Sequence, residues 1–144
     1  MIIRDYCPED FPRVIQLWKE TGIYSEQRVD TAASILRCNS LGGKFLILED
    51  PHTGTLNGTS WMTFDGRRVH LHHFTIRPGI QGRGWGKTLA LKSLQVALEY
   101  GCPVKLEVHR ENQRAIRLYK KLGFKQFQGY HVYLNNNPAE TLQA

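Results

Sequence analysis

The chain has 144 residues, 41% of them apolar, which suits one globular domain spanning residues 1–144. No apolar run approaches the ~20 residues of a membrane span, and the opening Met-Ile-Ile-Arg-Asp lacks an apolar leader. The three cysteines (Cys7, Cys38, Cys102) have no metal-ligand spacing and point to reduced thiols in a cytoplasm. A net charge of +6 is ordinarily a solvated surface that implies no partner; an anionic ligand, drawn by long-range steering, is the second reading. Lys and Arg are spread along the chain rather than concentrated, so nucleic acid is not indicated as a partner.

Ile2–Tyr6 reads as a first strand. Pro8 sits at a helix start, with Glu9 and Asp10 where the dipole favours acids. Phe11, Val14, Ile15 and Trp18 then recur at helical spacing, and Gly22 lies past the end. A second helix is expected from about Val29 to Arg37. Phe45–Leu48 is a compact apolar strand, followed by turn residues Pro51, Gly54, Asn57 and Gly58. Thr59–Phe64 and Arg68–Ile76 form strands around an Asp65-Gly66 turn, and Pro78-Gly79 ends the second. A long helix is predicted from Gly84 to Tyr100, stopped by Gly101 and Pro103. Val104–Val108 reads as a buried strand and Gln113–Leu122 as a shorter helix ending at Gly123. Two last strands, Phe124–Gln128 and His131–Leu134, are expected to close the domain. Strand, long apolar helix and strand together imply a parallel pair with a right-handed crossover.

The segment Arg77-Pro-Gly-Ile-Gln81-Gly-Arg-Gly84-Trp-Gly86-Lys-Thr88 leaves a strand and opens that long helix. Glycines there let backbone N–H groups approach a phosphate, and the helix dipole adds about half a positive charge. Gly86-Lys87-Thr88 imitates the end of a Walker A loop, but the first glycine of that loop would fall on Gln81. A dinucleotide fingerprint fails as well, because its third glycine would fall on Lys87 or Leu89. Gln81-Gly-Arg-Gly84-Trp-Gly86 instead resembles the pyrophosphate loop of the GNAT superfamily of acetyl-CoA-dependent N-acetyltransferases. Downstream, Leu106-Glu-Val-His-Arg-Glu-Asn112-Gln-Arg-Ala115-Ile-Arg-Leu118-Tyr119-Lys-Lys-Leu122-Gly123-Phe124 is similar to that family's strand-helix segment. The resemblance covers roughly residues 2–128, and in motif it is nearest the ribosomal-protein-alanine N-acetyltransferase branch. It implies a GNAT-like α/β (α+β) fold. The expected sheet is mixed and mostly antiparallel, of about seven strands with a central parallel pair, flanked by about four helices.

The resemblance also implies roles. Phe74, Thr75 and Ile76 would pair through their main chain with the pantetheine arm, and one of their N–H groups would hold the thioester oxyanion. Gln81, Gly82, Arg83, Gly84, Trp85, Gly86 and Lys87 would cradle the pyrophosphate. Asn112 would contact the cofactor, its plain alternative being a helix cap. Tyr119 would protonate the CoA thiolate, its alternative being a core aromatic. Glu107, which alternates with Leu106 and Val108 and so shares a face with Lys105 and His109, would be the general base. His70, His72 and His73 are the competing bases. No acidic ligand at metal spacing accompanies them, so no metal site is expected. The C-terminal Gln128-Gly-Tyr130-His-Val-Tyr133 departs from the Tyr-Tyr segment of the ribosomal branch, so that branch's acceptor does not transfer.

The expected activity is direct transfer of acetyl from acetyl-CoA to a primary amine of a protein or peptide, by a cytoplasmic monomer or homodimer. A small-molecule amine acetyltransferase and a non-catalytic acyl-CoA-binding regulatory module are the alternatives.

Overall fold

The computed structural model describes residues 1–28 and 30–143. They form two compact units, residues 1–111 and 112–143. The first holds β1 (Ile2–Asp5), α1 (Phe11–Glu20), α2 (Ala32–Ser40), β2 (Lys44–Glu49), β3 (Leu56–Phe64), β4 (Val69–Ile76), α3 (Trp85–Tyr100) and β5 (Val104–Leu106). The second holds α4 (Gln113–Lys121) and α5 (Pro138–Leu142). Among the described residues no helix is long and apolar enough to cross a membrane.

The strands form one sheet in chain order, antiparallel from β1 to β4, with β5 parallel to β4. Trp18 on α1 reaches Thr59 of β3, whereas Ser93 on α3 hydrogen-bonds Ser60 at 2.7 Å. Neighbouring β3 residues point to opposite faces, so α1 and α3 cover opposite faces. On the α1 side Tyr6, Val14, Trp18, Ile35, Phe45, Ile47, Leu56 and Trp61 pack as one core cluster.

Local chemistry explains the element ends. Asp10, expected simply as a dipole partner, is fully buried and accepts both terminal nitrogens of Arg4, at 2.7 and 2.8 Å, as well as Arg13 at 2.5 Å and the Cys7 N–H at 3.0 Å. It anchors a 3-10 turn, Pro8–Asp10, ahead of α1. The second helix starts later than expected because Thr31 caps it, its hydroxyl accepting the Ser34 N–H. Val29, where that helix was expected to begin, lies outside the described residues. Gly101, with φ +65°, ends α3 as predicted.

Five expectations are corrected. Among the described residues the sheet has five strands, not about seven, and there are five α-helices, not about four. The parallel pair lies at the sheet's edge, not its centre, because no strand follows β5 in the order. Neither Phe124–Gln128 nor His131–Leu134 is a strand. Phe127, Tyr130, Val132, Tyr133 and Leu134 are all exposed, so this stretch has no buried apolar face. A two-stranded pair without such a face is marginal in water. β5 is also shorter than expected, ending at Leu106, so Glu107 lies just past it.

Candidate active site

A bulge in β4 organises the site. Thr59 pairs with Thr75 and Trp61 with His72, so His73 and Phe74 together oppose Ser60 alone. His73 has φ +42°, the only positive φ outside glycine among the described residues. That conformation costs about 1 kcal/mol or more and persists only when its surroundings impose it. They do so here. The Trp18 Nε1–H donates to Thr59 Oγ1 at 3.0 Å, and the Thr59 hydroxyl donates to the His73 carbonyl at 2.7 Å. The carbonyl is thus turned toward β3. Since C=O and N–H of a trans peptide point oppositely, the Phe74 N–H is directed away from β3, toward the β5 side.

β5 pairs with β4 only as far as Leu71 and Leu106. The part of β4 bearing Phe74, Thr75 and Ile76 therefore runs on past its parallel neighbour. Gly58 sits opposite Ile76, and a Cβ on it would fall 2.8 Å from both the Ile76 side chain and the Thr75 carbonyl. That contact requires glycine.

The glycine loop follows directly. Arg77 fixes its start: the N–H donates to the Asn57 carbonyl at 2.8 Å, the guanidinium donates to the Leu56 carbonyl, and the same group pairs with Glu20. Gln81 Nε2 donates to the Ile76 carbonyl at 2.7 Å, tying the loop back to the strand end. Gly82 (φ +81°) and Gly84 (φ +88°) are left-handed, as the turn demands, and a Cβ on either would meet open space. Gly84 caps α3 with no side-chain hydrogen bond. Arg83 and Lys87 flank this helix start in sequence. Gln81–Lys87 are thus brought together around one helix start.

The histidines lie on the α1 face of β4. The His70 and His72 rings stack at 4.0 Å, and His72 Nε2 meets the Thr63 hydroxyl at 3.0 Å. Burial lowers the pKa of both; His72 falls to about 4, helped by repulsion from His70, His73, Arg28 and Lys105. Glu107 opposes the fall at His70. His73 is nine-tenths buried between Trp18 (ring centroids 4.3 Å apart) and Trp61 (5.4 Å). Its Nε2 is 2.9 Å from Asp30 Oδ2 but not aligned for a hydrogen bond, and its Nδ1 has no partner. Burial holds its pKa below the ordinary value, and Asp30 opposes this. Glu107 is half exposed and lies 3.7 Å from Lys105 Nζ.

In the second unit Asn112 accepts the Ala115 N–H at 3.2 Å and so caps α4. Tyr119 is buried, packs edge-on to Phe124 at 5.5 Å, and is pushed by burial to a pKa of about 12. Sequence reasoning missed Asp30, Thr59 and the special place of His73. The adjacent His72-His73-Phe74 interrupts an otherwise regular alternation, but only Thr59 and Trp18, distant in sequence, decide which way it breaks.

The bulged strand β4 thus leads directly into the glycine loop at the start of α3. Residues 11–124 match the acetyltransferase (GNAT) family, and the chain belongs to it. It is an acyltransferase. The fold is similar to an acetyltransferase of the GNAT family from Staphylococcus aureus Mu50 (TM-score 0.77, 19% identity, 92% of this chain and 89% of that one). It also resembles glucosamine-6-phosphate N-acetyltransferase from Arabidopsis thaliana (0.74, 16%, 92% and 97%). A Salmonella typhimurium protein solved with its cofactor acetyl-CoA is similar too (0.70, 22%, 86% and 79%).

Proposed function

We propose that this chain is a single catalytic domain that transfers acetyl from acetyl-CoA to a primary amine by direct attack. The observation that carries this reading is the continuity of the bulged β4 with the glycine loop. The β5-side edge of Phe74–Ile76 would align the pantetheine arm, and the Gln81–Lys87 cradle would take the pyrophosphate. The open space at Gly82 and Gly84 and the uncapped start of α3 fit that group. The Phe74 N–H, turned toward the β5 side, would donate to the thioester oxygen as it gains charge. Asn112, beyond capping α4, would contact the cofactor.

The amine attacks the thioester carbon, its proton leaves to a base, and the C–S bond breaks to give CoA thiolate. Tyr119 would supply the proton that turns thiolate into thiol. At a pKa of about 12 its phenol stays protonated at neutral pH. Full transfer to a thiolate near 8.5 would cost about 5 kcal/mol, so a hydrogen bond to the departing sulfur is its main contribution. Glu107 would act as base through solvent, consistent with its exposure. His70 is the second reading, because it lies in the field of Glu107 and is less exposed to solvent.

The acceptor follows from charge. A net +6 repels polyamines and aminoglycosides at long range, which favours a protein or peptide amine. A lysine side chain pays about 4.6 kcal/mol to be neutral at pH 7, and an α-amine only about 1 kcal/mol. An α-amine is therefore within reach of a weak base.

Two measurements test the reading. Acetyl-CoA at 100 times its dissociation constant should stabilise the fold by about 2.7 kcal/mol, and Gly84→Val should abolish the gain. A melting temperature unmoved by millimolar acetyl-CoA would reject the assignment. Tyr119→Phe should keep that stabilisation while lowering kcat and kcat/KM together, near the low end of the ~10²–10⁴-fold range for acid catalysis. Unchanged kcat, with chemistry limiting, would remove Tyr119 from the mechanism and leave a binding module in contention.

A further inference from the structure

Among the described residues four buried side-chain polar atoms find no hydrogen-bond partner in the protein. Two are the ring nitrogens of His73. The other two are the Tyr6 phenol oxygen and Asn39 Oδ1, and both of these residues line one recess of about 280 Å³. A buried polar atom without a partner costs free energy, so native folds rarely keep one. Two on the residues of a single recess point to a ligand that supplies both partners.

Three separate segments build the recess. Tyr6 follows β1, and its N–H donates to the Phe45 carbonyl at 2.9 Å. Its side chain is nine-tenths buried and stacks on Phe45 at 4.9 Å, with the rings nearly parallel. Asn39 stands in the last turn of α2. Gly43 lets that turn approach β2, since a Cβ there would fall 2.4 Å from Cys38 Sγ. Asp5 and Lys44 complete the lining and pair with each other at 2.8 Å. The site stands apart from the cofactor cradle. Phe45 lies across from Trp61, and Trp61 across from His72, so the recess is two strand spacings, about 10 Å, from β4. Lys44 shares the register row of Leu71, at the end of the sheet away from Ile76 and the glycine loop.

The lining defines the ligand. Burial raises the Tyr6 pKa, so its phenol stays protonated and can donate. Asn39 Oδ1 can only accept. Asp5 and Lys44 neutralise each other and leave no net charge to draw an ion. A cavity of about 150 Å³ holds a benzene ring, so one of about 280 Å³ takes a ring with a polar substituent. We propose that this recess is a second binding site, for a small uncharged molecule with a flat ring and a primary amide. The amide carbonyl would accept from the Tyr6 hydroxyl, and its NH₂ would donate to Asn39 Oδ1. The site is independent of the proposed acetyl transfer, which uses none of its residues.

The probe is benzamide, titrated into the full chain while backbone amides are followed by NMR. Shifts at Tyr6, Asn39, Gly43 and Lys44 should saturate at millimolar concentrations. Toluene, of similar size but without the amide, should bind at least about tenfold more weakly, because it leaves both atoms unpartnered. Tyr6→Phe keeps the ring on Phe45 and removes only the hydroxyl. Asn39→Ala trims a part-exposed side chain of the last helical turn. Each should weaken benzamide about tenfold and leave toluene nearly unchanged. Without benzamide, Tyr6→Phe should melt no lower than the native protein, since an unpartnered hydroxyl adds nothing to the fold. A clear fall in its melting temperature would mean that the phenol is already satisfied, and would overturn its role as the ligand's donor. Absence of saturable shifts at these four amides would overturn the site and leave bound water as the partner of both atoms. Equal affinity for benzamide and toluene, or benzamide affinity unchanged in both variants, would overturn the polar recognition.

Discussion

The α1 face of the sheet has two ends opposite in chemistry, one built mainly from α1, β2 and β3 and the other from β4. At one, Tyr6, Phe45, Trp61 and Trp18 stack nearly parallel, with centroids 4.9 to 6.3 Å apart. At the other, His70, His72 and His73 stand in the same rows, part-buried, beside Asp30 and Glu107. Burying an aromatic ring stabilises the fold through area and dispersion. Burying an imidazole instead forces it neutral and leaves nitrogens to be partnered. The contrast teaches where stability and chemistry separate on one surface: β4 gives up packing at its histidines, and the residues that shape the candidate site stand there.

The largest effect should come from breaking the aromatic end. Trp18 is fully buried, stacks on Phe45 and on the His73 ring, and holds Thr59. Trp18→Ala should cost about 3–5 kcal/mol in urea unfolding. Trp18→Phe keeps much of the ring but loses the N–H, and should cost about 1–2 kcal/mol. If Trp18→Ala costs under about 1 kcal/mol, the aromatic end is not the stabilising half.

Much of the aromatic end was legible in the sequence, because Phe11, Val14, Ile15 and Trp18 recur at helical spacing and Phe45–Leu48 is plainly apolar. The glycine loop and the limits of α3 were legible too, since Gly82, Gly84 and Gly101 sit where left-handed backbone is needed. The bulge was not. It depends on a side-chain relay from Trp18 through Thr59, two residues 41 positions apart. Asp30 gives no local sign of its partner, 43 residues on. The final strand pair was misread because short runs such as Phe124–Gln128 and His131–Leu134 do not show whether a sheet edge or an apolar partner is present. Among the site residues, Tyr119 and Glu107 came from motif alone, and their roles remain proposals.

The next effect belongs to the histidine end and to pH. An unfolded imidazole titrates near 6.5, whereas that of His72 is held down to about 4. Protonation therefore favours the unfolded chain. The stabilisation is fully present above about 6.5 and is lost as pH falls toward 4. Complete loss would be about 3 kcal/mol; as the ring is not wholly buried, about 1–2 kcal/mol is expected. His72→Gln should reduce the slope of unfolding free energy between pH 6.5 and 4, His70 and His73 supplying the remainder. Asp10 gives a built-in control. Burial tends to raise its pKa, but hydrogen bonds from Arg4 and Cys7 hold it well below the carboxylate range. Its contribution is present above about 3.9 and fails only at lower pH. A slope unchanged in His72→Gln would locate the titrating group elsewhere.

The smallest effect tests whether the histidine end can be made more like its neighbour. Thr63→Val keeps the β-branched shape that suits a strand and removes only the hydroxyl facing His72 Nε2. Loss of one neutral, part-buried hydrogen bond should cost about 1 kcal/mol near pH 7. The hydroxyl can donate to the neutral ring or accept from the protonated one, and a bond from a charged donor is the stronger. Its removal should therefore hurt the imidazolium more and lower the His72 pKa further, by less than about one unit. NMR titration of the ring in Thr63→Val reads this directly. A pKa that rises instead would mean that the hydroxyl serves the neutral ring alone, with the proton on Nδ1. That result would fix the tautomer of the stacked pair and show that β3, not burial alone, keeps this end of the face uncharged.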